Sequence, residues 1–137
     1  MASSSDRIQH NVATVAAESV DEMKQLPEAK AAEYKSFCEG FPILLRTAGL
    51  LQTLLFLDAK KEHPHGALLK HLKRQFHTLG LIDKLDVDLA TKVAALGTAE
   101  YMAWTRMADK IAYWHKRFAQ ALLATPAQKA AKTTEPQ

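Results

Sequence analysis

The residues of this 137-residue chain with the plainest chemistry are cations spaced three and four apart. Lys70, Lys73, Arg74 and His77 fall on one side of a helix ending near residue 79, and Leu68, Leu72, Phe76 and Leu79 fall on the other. Lys60 and Lys61 close the preceding helix, where cations also relieve the helix dipole. Arg106, Lys110, Tyr113 and Arg117 form a second row at the same rhythm, with an aromatic ring among the cations. Such rows neutralise phosphates, and an exposed ring offers a base a surface to stack on. The competing reading for each row is an ordinary solvated face.

Other chemistries find less support. His63 and His65 flank Pro64 in a turn, with His71 and His77 on the next helix, but no two stand at i, i+4 and no carboxylate completes a metal pattern. No metal site is expected. His115 lies on an apolar stripe and reads as a partly buried, hydrogen-bonded ring. Cys38, between Phe37 and Glu39, reads as a small core residue rather than a nucleophile. A single cysteine leaves no intramolecular disulfide. Glu18, Asp21 and Glu22 read as a solvated face. With no phosphate-cradling glycine loop and no nucleophile elbow, the sequence predicts neither catalysis nor a cofactor.

The elements that position these residues read as an all-α, compact single-domain bundle of about five to six helices around a central apolar helix. It occupies residues 1–124, and 47% hydrophobic content suffices for a core. A first helix is predicted over about 6–25, with Ser5 or Asp6 as N-cap. A second over about 27–39 turns Ala31, Tyr34 and Cys38 inward, and Gly40 and Pro42 mark a break or kink. The central helix then runs to Lys60, with Leu44, Ala48, Leu51 and Leu55 on its innermost face and Leu50, Leu54 and Leu57 beside them. Arg46, Gly49 and Thr53 form a narrow polar stripe that packing alone does not explain. A turn at 63–66 leads to the fourth helix, capped by Gly80. A short helix over 87–96, opened by Asp86 or Asp88, precedes a long one over 98–124. In that last helix Tyr101, Trp104, Ala108, Ile111, His115, Phe118 and Leu122 step by three and four. Residues 125–137 contain no large apolar side chain and are expected to be a disordered tail. The opening MASSSDRIQH lacks the apolar core of a signal peptide and no segment reads as a membrane span, so a cytoplasmic location is expected.

Charge is uneven along the chain. Residues 1–39 hold four Lys/Arg against seven Asp/Glu, and residues 40–79 hold six against two, within a net charge of +3. This suits a nucleic-acid contact, and equally suits head-to-tail stacking of copies.

Two blocks carry a family resemblance. Phe41-Pro42, Leu45-Arg46, Gly49-Leu50, Gln52-Thr53-Leu54 and Phe56, followed by Lys60-Lys61, resemble the signature of the small helical subunit of the type III-B CRISPR effector, the Cmr RNA-targeting complex. Tyr101, Thr105-Arg106, Trp114-His115-Lys116-Arg117-Phe118-Ala119 and Ala121-Leu122 resemble its C-terminal block. The resemblance spans about residues 28–124. It implies a non-catalytic scaffold subunit in antiviral defence, stacked with neighbouring copies of itself. Its partners would be the effector's backbone subunit and the guide RNA–target RNA duplex. The positions that match are Arg46, Gly49, Gln52, Lys60, Lys116 and Arg117, whereas Lys70, Lys73 and Arg74 enter from the charge pattern alone. The implied mechanism is electrostatic positioning, with guide pairing supplying specificity. The alternative is a helical protein–protein adaptor with no nucleic-acid role, binding through apolar grooves around residues 41–57.

Overall fold

The structure, a computed structural model, describes residues 3–123. Among them six α-helices and one 3-10 turn form, with no strand. The all-α bundle expected from the sequence is observed. The tail expected at 125–137 lies outside the described residues.

Helix α1, Ser4–Glu22, starts at a capping box: the Asp6 amide donates to Ser3 Oγ at 3.1 Å and the Ser3 amide to Asp6 Oδ2 at 3.3 Å. The cap is Ser3, ahead of the Ser5 or Asp6 expected, with Asp6 serving three residues later. A 3-10 turn, Met23–Gln25, leads to α2, Glu28–Ala48.

Helix α2 corrects the sequence reading. It runs unbroken through Gly40 and Pro42. Proline inside a helix forfeits one backbone hydrogen bond and costs about 3 kcal/mol. Here Cys38, Phe41 and Leu45 are buried around it, and burial of large side chains at about 1.5–3 kcal/mol each outweighs that cost. The break falls instead at Gly49, whose φ of 84° and ψ of 165° suit only glycine. Helix α3, Leu50–Lys60, restarts there with a new rotational phase. Leu50, Leu54 and Leu57 are therefore the fully buried residues, while Leu51 is half-buried and Leu55 is 53% exposed. The polar stripe resolves into three separate cases: Gly49 makes the break, Thr53 is buried, and Arg46 is exposed.

Lys61 closes α3 in the left-handed region, and a Cβ on Gly66 would run into its carbonyl, so glycine is required there. Helix α4, His65–Thr78, ends in a Schellman-type cap, with the Gly80 amide on His77 O at 3.0 Å and the Leu81 amide on Phe76 O at 2.9 Å. Asp88 caps the short α5, Leu89–Ala94, and α6, Thr98–Leu122, spans the molecule. Helix α6 packs chiefly along α2 and α1, and α3 along α4, α2 and α5. On α6 the expected stripe turns inward: Trp104, Ala108, Ile111 and His115 are buried, with Tyr101, Phe118 and Leu122 partly so.

Candidate nucleic-acid interface

Helix α4 is sided as its sequence dictates. Leu68, Leu69, His71, Leu72, Gln75 and Phe76 are buried. Lys70 and His77 are exposed, and Lys73 is half-buried beside them. Among the described residues neither Lys70 nor Lys73 has an ion-pair partner. Arg74 differs: its Nη1 donates to Ser19 Oγ and to Glu22 Oε1, both at 3.0 Å, so it ties α4 to α1. Lys70, Lys73 and Arg74 together line a cavity of about 230 Å³, closed on the other side by Leu85 and Asp86.

The second row stands elsewhere. Arg106, Tyr113 and Arg117 are exposed on α6 and Lys110 is half-buried, with the Arg117 guanidinium 5.8 Å from the Tyr113 ring centre. These residues lie about half a helical turn away from the buried Ala108, Ile111 and His115. Because Gln75 of α4 meets His115 of α6 across the core at 3.1 Å, the two helices face each other through those side chains. Their cationic rows consequently point away from each other, on opposite sides of the molecule. Arg46 is exposed in the last turn of α2, Lys60 sits over the Phe56 ring at 5.8 Å, Lys61 is exposed, and Lys116 is half-buried on α6. One continuous surface does not gather all of them.

Between the two rows runs a buried polar chain. Gln75 Nε2 donates to Val12 O at 2.9 Å and to His115 Nε2 at 3.1 Å. An amide nitrogen only donates, so the His115 proton sits on Nδ1, directed at the Tyr34 hydroxyl 3.4 Å away. Tyr34 in turn donates to His71 Nδ1 at 2.6 Å, leaving His71 Nε2–H facing Glu22 at 4.0 Å. Burial, with His115, Arg74 and Lys70 nearby, pushes the His71 pKa down to about 3, and burial and Arg74 push His115 to about 3 as well. Both rings stay neutral at physiological pH. Burial also pushes the Cys38 thiol up to about 12, which leaves it a protonated core group.

Sequence reasoning anticipated His115 and Tyr34 as inward residues but missed His71 and Gln75. Their signal was present, since both fall among Leu68, Leu72 and Phe76 on the apolar side of α4. Among the described residues no three His, Cys, Asp or Glu side chains gather as a metal ion would need, and no helix is long and apolar enough to cross a membrane. An apolar groove of about 450 Å³ lies along α2, lined by Phe37, Gly40, Leu44 and Pro64 with Glu33 and Ser36 at its edge. Ile43, 64% exposed, stands on the same helix.

Comparison with known proteins decides the family. The profile of the CRISPR-associated protein family Cas_Cmr5 matches residues 8–122, nearly the whole described body. The chain belongs to the Cmr5 family. It is 37% identical over 91 residues to the "CRISPR system Cmr subunit Cmr5" of Thermus thermophilus, covering 66% of this chain and 75% of that protein. The crystal structure of a CRISPR-associated Cmr5 family protein from the same organism superposes with a TM-score of 0.73 at 31% identity, over 90% of this chain and all of the other. The two sequence blocks that resembled this family come together in the fold: Tyr101 of the second meets the start of α3 in the first.

Proposed function

We propose that this protein is the small, non-catalytic subunit of a type III-B CRISPR effector, located in the cytoplasm, and that its α4 face lies against the phosphates of the guide–target duplex. Membership of the Cmr5 family supports the place in the complex. One observation carries the nucleic-acid part: Lys70 and Lys73 stand together on the outward side of α4, neither locked in an ion pair among the described residues, with Lys73 only in electrostatic reach of Asp88. Unpaired cations on a rigid helix neutralise phosphates without reading bases, which suits an effector whose specificity comes from guide pairing. The α6 row, on the opposite side, is left to a different neighbour, either a further stretch of RNA or the acidic first third of another copy. On α2, the apolar groove at Phe37, Leu44 and Pro64 and the exposed Ile43 favour a protein neighbour for that helix, since exposed apolar surface is typical of an interface core.

The test is photo-crosslinking in the reconstituted effector with target RNA carrying 4-thiouridine. Crosslinked peptides from α4 and residues 81–88 are expected. Crosslinks confined to α6, or none to this subunit, would contradict the assignment of α4.

A further inference from the structure

We propose that the cavity between α4 and residues 81–88 is a ribonucleotide seat, in which Lys70, Lys73 and Arg74 hold a phosphate and Asp86 accepts a hydrogen bond from the ribose 2′-hydroxyl. This rests on the nucleic-acid reading of the α4 face and goes beyond it by naming the sugar and the residue that senses it.

The size of the cavity, about 230 Å³, is below the roughly 300–1,000 Å³ that holds a drug-sized ligand, and fits the phosphate and sugar of one nucleotide. Its cationic wall is partly pre-set. Arg74 spends only Nη1 on Ser19 and Glu22, so the hydrogens on Nε and Nη2 stay available from a guanidinium already fixed in place. Leu85, 53% exposed, is a large apolar side chain that the fold leaves uncovered at this spot, and it offers contact to sugar carbons.

Asp86 is the decisive member. An ionised carboxylate only accepts hydrogen bonds, and in a seat for a bare phosphate it would repel the ligand. It suits a ligand that carries an anionic group and, a few ångströms away, a hydroxyl donor. A ribonucleotide has both, whereas a deoxyribonucleotide has the phosphate without the 2′-hydroxyl. The nearby Asp88 is already engaged, accepting from the Thr91 amide at 3.2 Å and from Thr91 Oγ1 at 2.9 Å as the cap of α5. Asp86 is not engaged in this way, and among the described residues it makes neither a hydrogen bond nor an ion pair.

The experiment titrates the full-length protein at low salt with hexauridylate and with its 2′-deoxy counterpart, followed through backbone amide chemical shifts. The ribo-oligomer should bind roughly tenfold tighter, as one hydrogen bond to a charged acceptor allows, with shifts on α4 and residues 81–88. Asp86→Ala should bring the ribo-oligomer to the level of the deoxy one without changing the melting temperature. Lys70→Glu with Lys73→Glu should weaken both. Equal affinities, a preference that survives Asp86→Ala, or no shifts at all would overturn the seat. If the lysine pair still matters for target RNA in the whole effector while the two oligomers bind alike, the phosphate-binding face stands and the ribonucleotide seat falls. If the pair matters in neither setting, both fall.

Discussion

The Tyr101 hydroxyl accepts the Leu51 amide at 3.1 Å, so a side chain of α6 caps the first turn of α3. Glycine at 49 has no side chain to satisfy that amide, and a Cβ there would stand 3.6 Å from the same hydroxyl. The residue that makes the break and the residue that repairs it therefore come from the two sequence blocks that carried the resemblance, both inside the stretch the family profile matches.

Tyr101→Phe removes this cap and should cost about 1 kcal/mol, as loss of an N-cap does, while leaving helicity intact. Gly49→Ala should cost more, because alanine is strained at a φ of 84°. Urea denaturation of both variants measures the difference. Equal stability of Tyr101→Phe and the parent would show that water serves the amide as well.

Leu54→Asp should unfold the domain, because an unpaired charge at a fully buried position costs several kcal/mol, of the order of the total stability. Leu55→Asp, one residue along, should fold with a melting temperature near the parent's. Thermal unfolding followed by circular dichroism separates them. The pair also marks where the sequence was legible and where it was not. Counting helical steps from residue 41 predicts Leu51 and Leu55 as innermost, but the break at Gly49 resets the phase and turns Leu50, Leu54 and Leu57 inward. Local rules put the break at Gly40 and Pro42, where tertiary burial overrode them. In α6, with no Gly or Pro inside it, the count held from Tyr101 to Leu122. The basic rows were legible as rows, yet their placement on opposite sides of the core was not. That follows from Gln75 meeting His115, a contact between residues 40 apart.

Acid should destabilise the protein through His71 and His115. Above pH 6.5 both rings are neutral folded and unfolded, and they add no pH dependence. Below it the unfolded chain takes up two protons that the folded state refuses until about pH 3. Stability should therefore fall between those limits by up to about 1.4 kcal/mol per pH unit for each ring. The facing groups are Glu22, Arg74 and Lys70, and only Glu22 would ease protonation, from 4.0 Å. Unfolding free energies at pH 7 and pH 5 measure this, and equal values would mean that the rings take up protons while buried.

Deleting residues 125–137 should leave the melting temperature and entry into the effector unchanged, since that segment has no large apolar side chain to pack. Co-purification with the other subunits is the readout. Loss of co-purification on truncation would make the tail a docking segment.

The most direct measurement is target-RNA affinity of the assembled effector carrying Lys70→Glu and Lys73→Glu, taken across a salt series. Arg74 is left intact because it holds α1 through Ser19 and Glu22, so its reversal would confound binding with folding. With assembly normal, affinity should drop and the slope of log affinity against log salt should lessen by about one unit for each phosphate released, or about two in all. Unchanged affinity and slope in a fully assembled effector would contradict a nucleic-acid role for the α4 face.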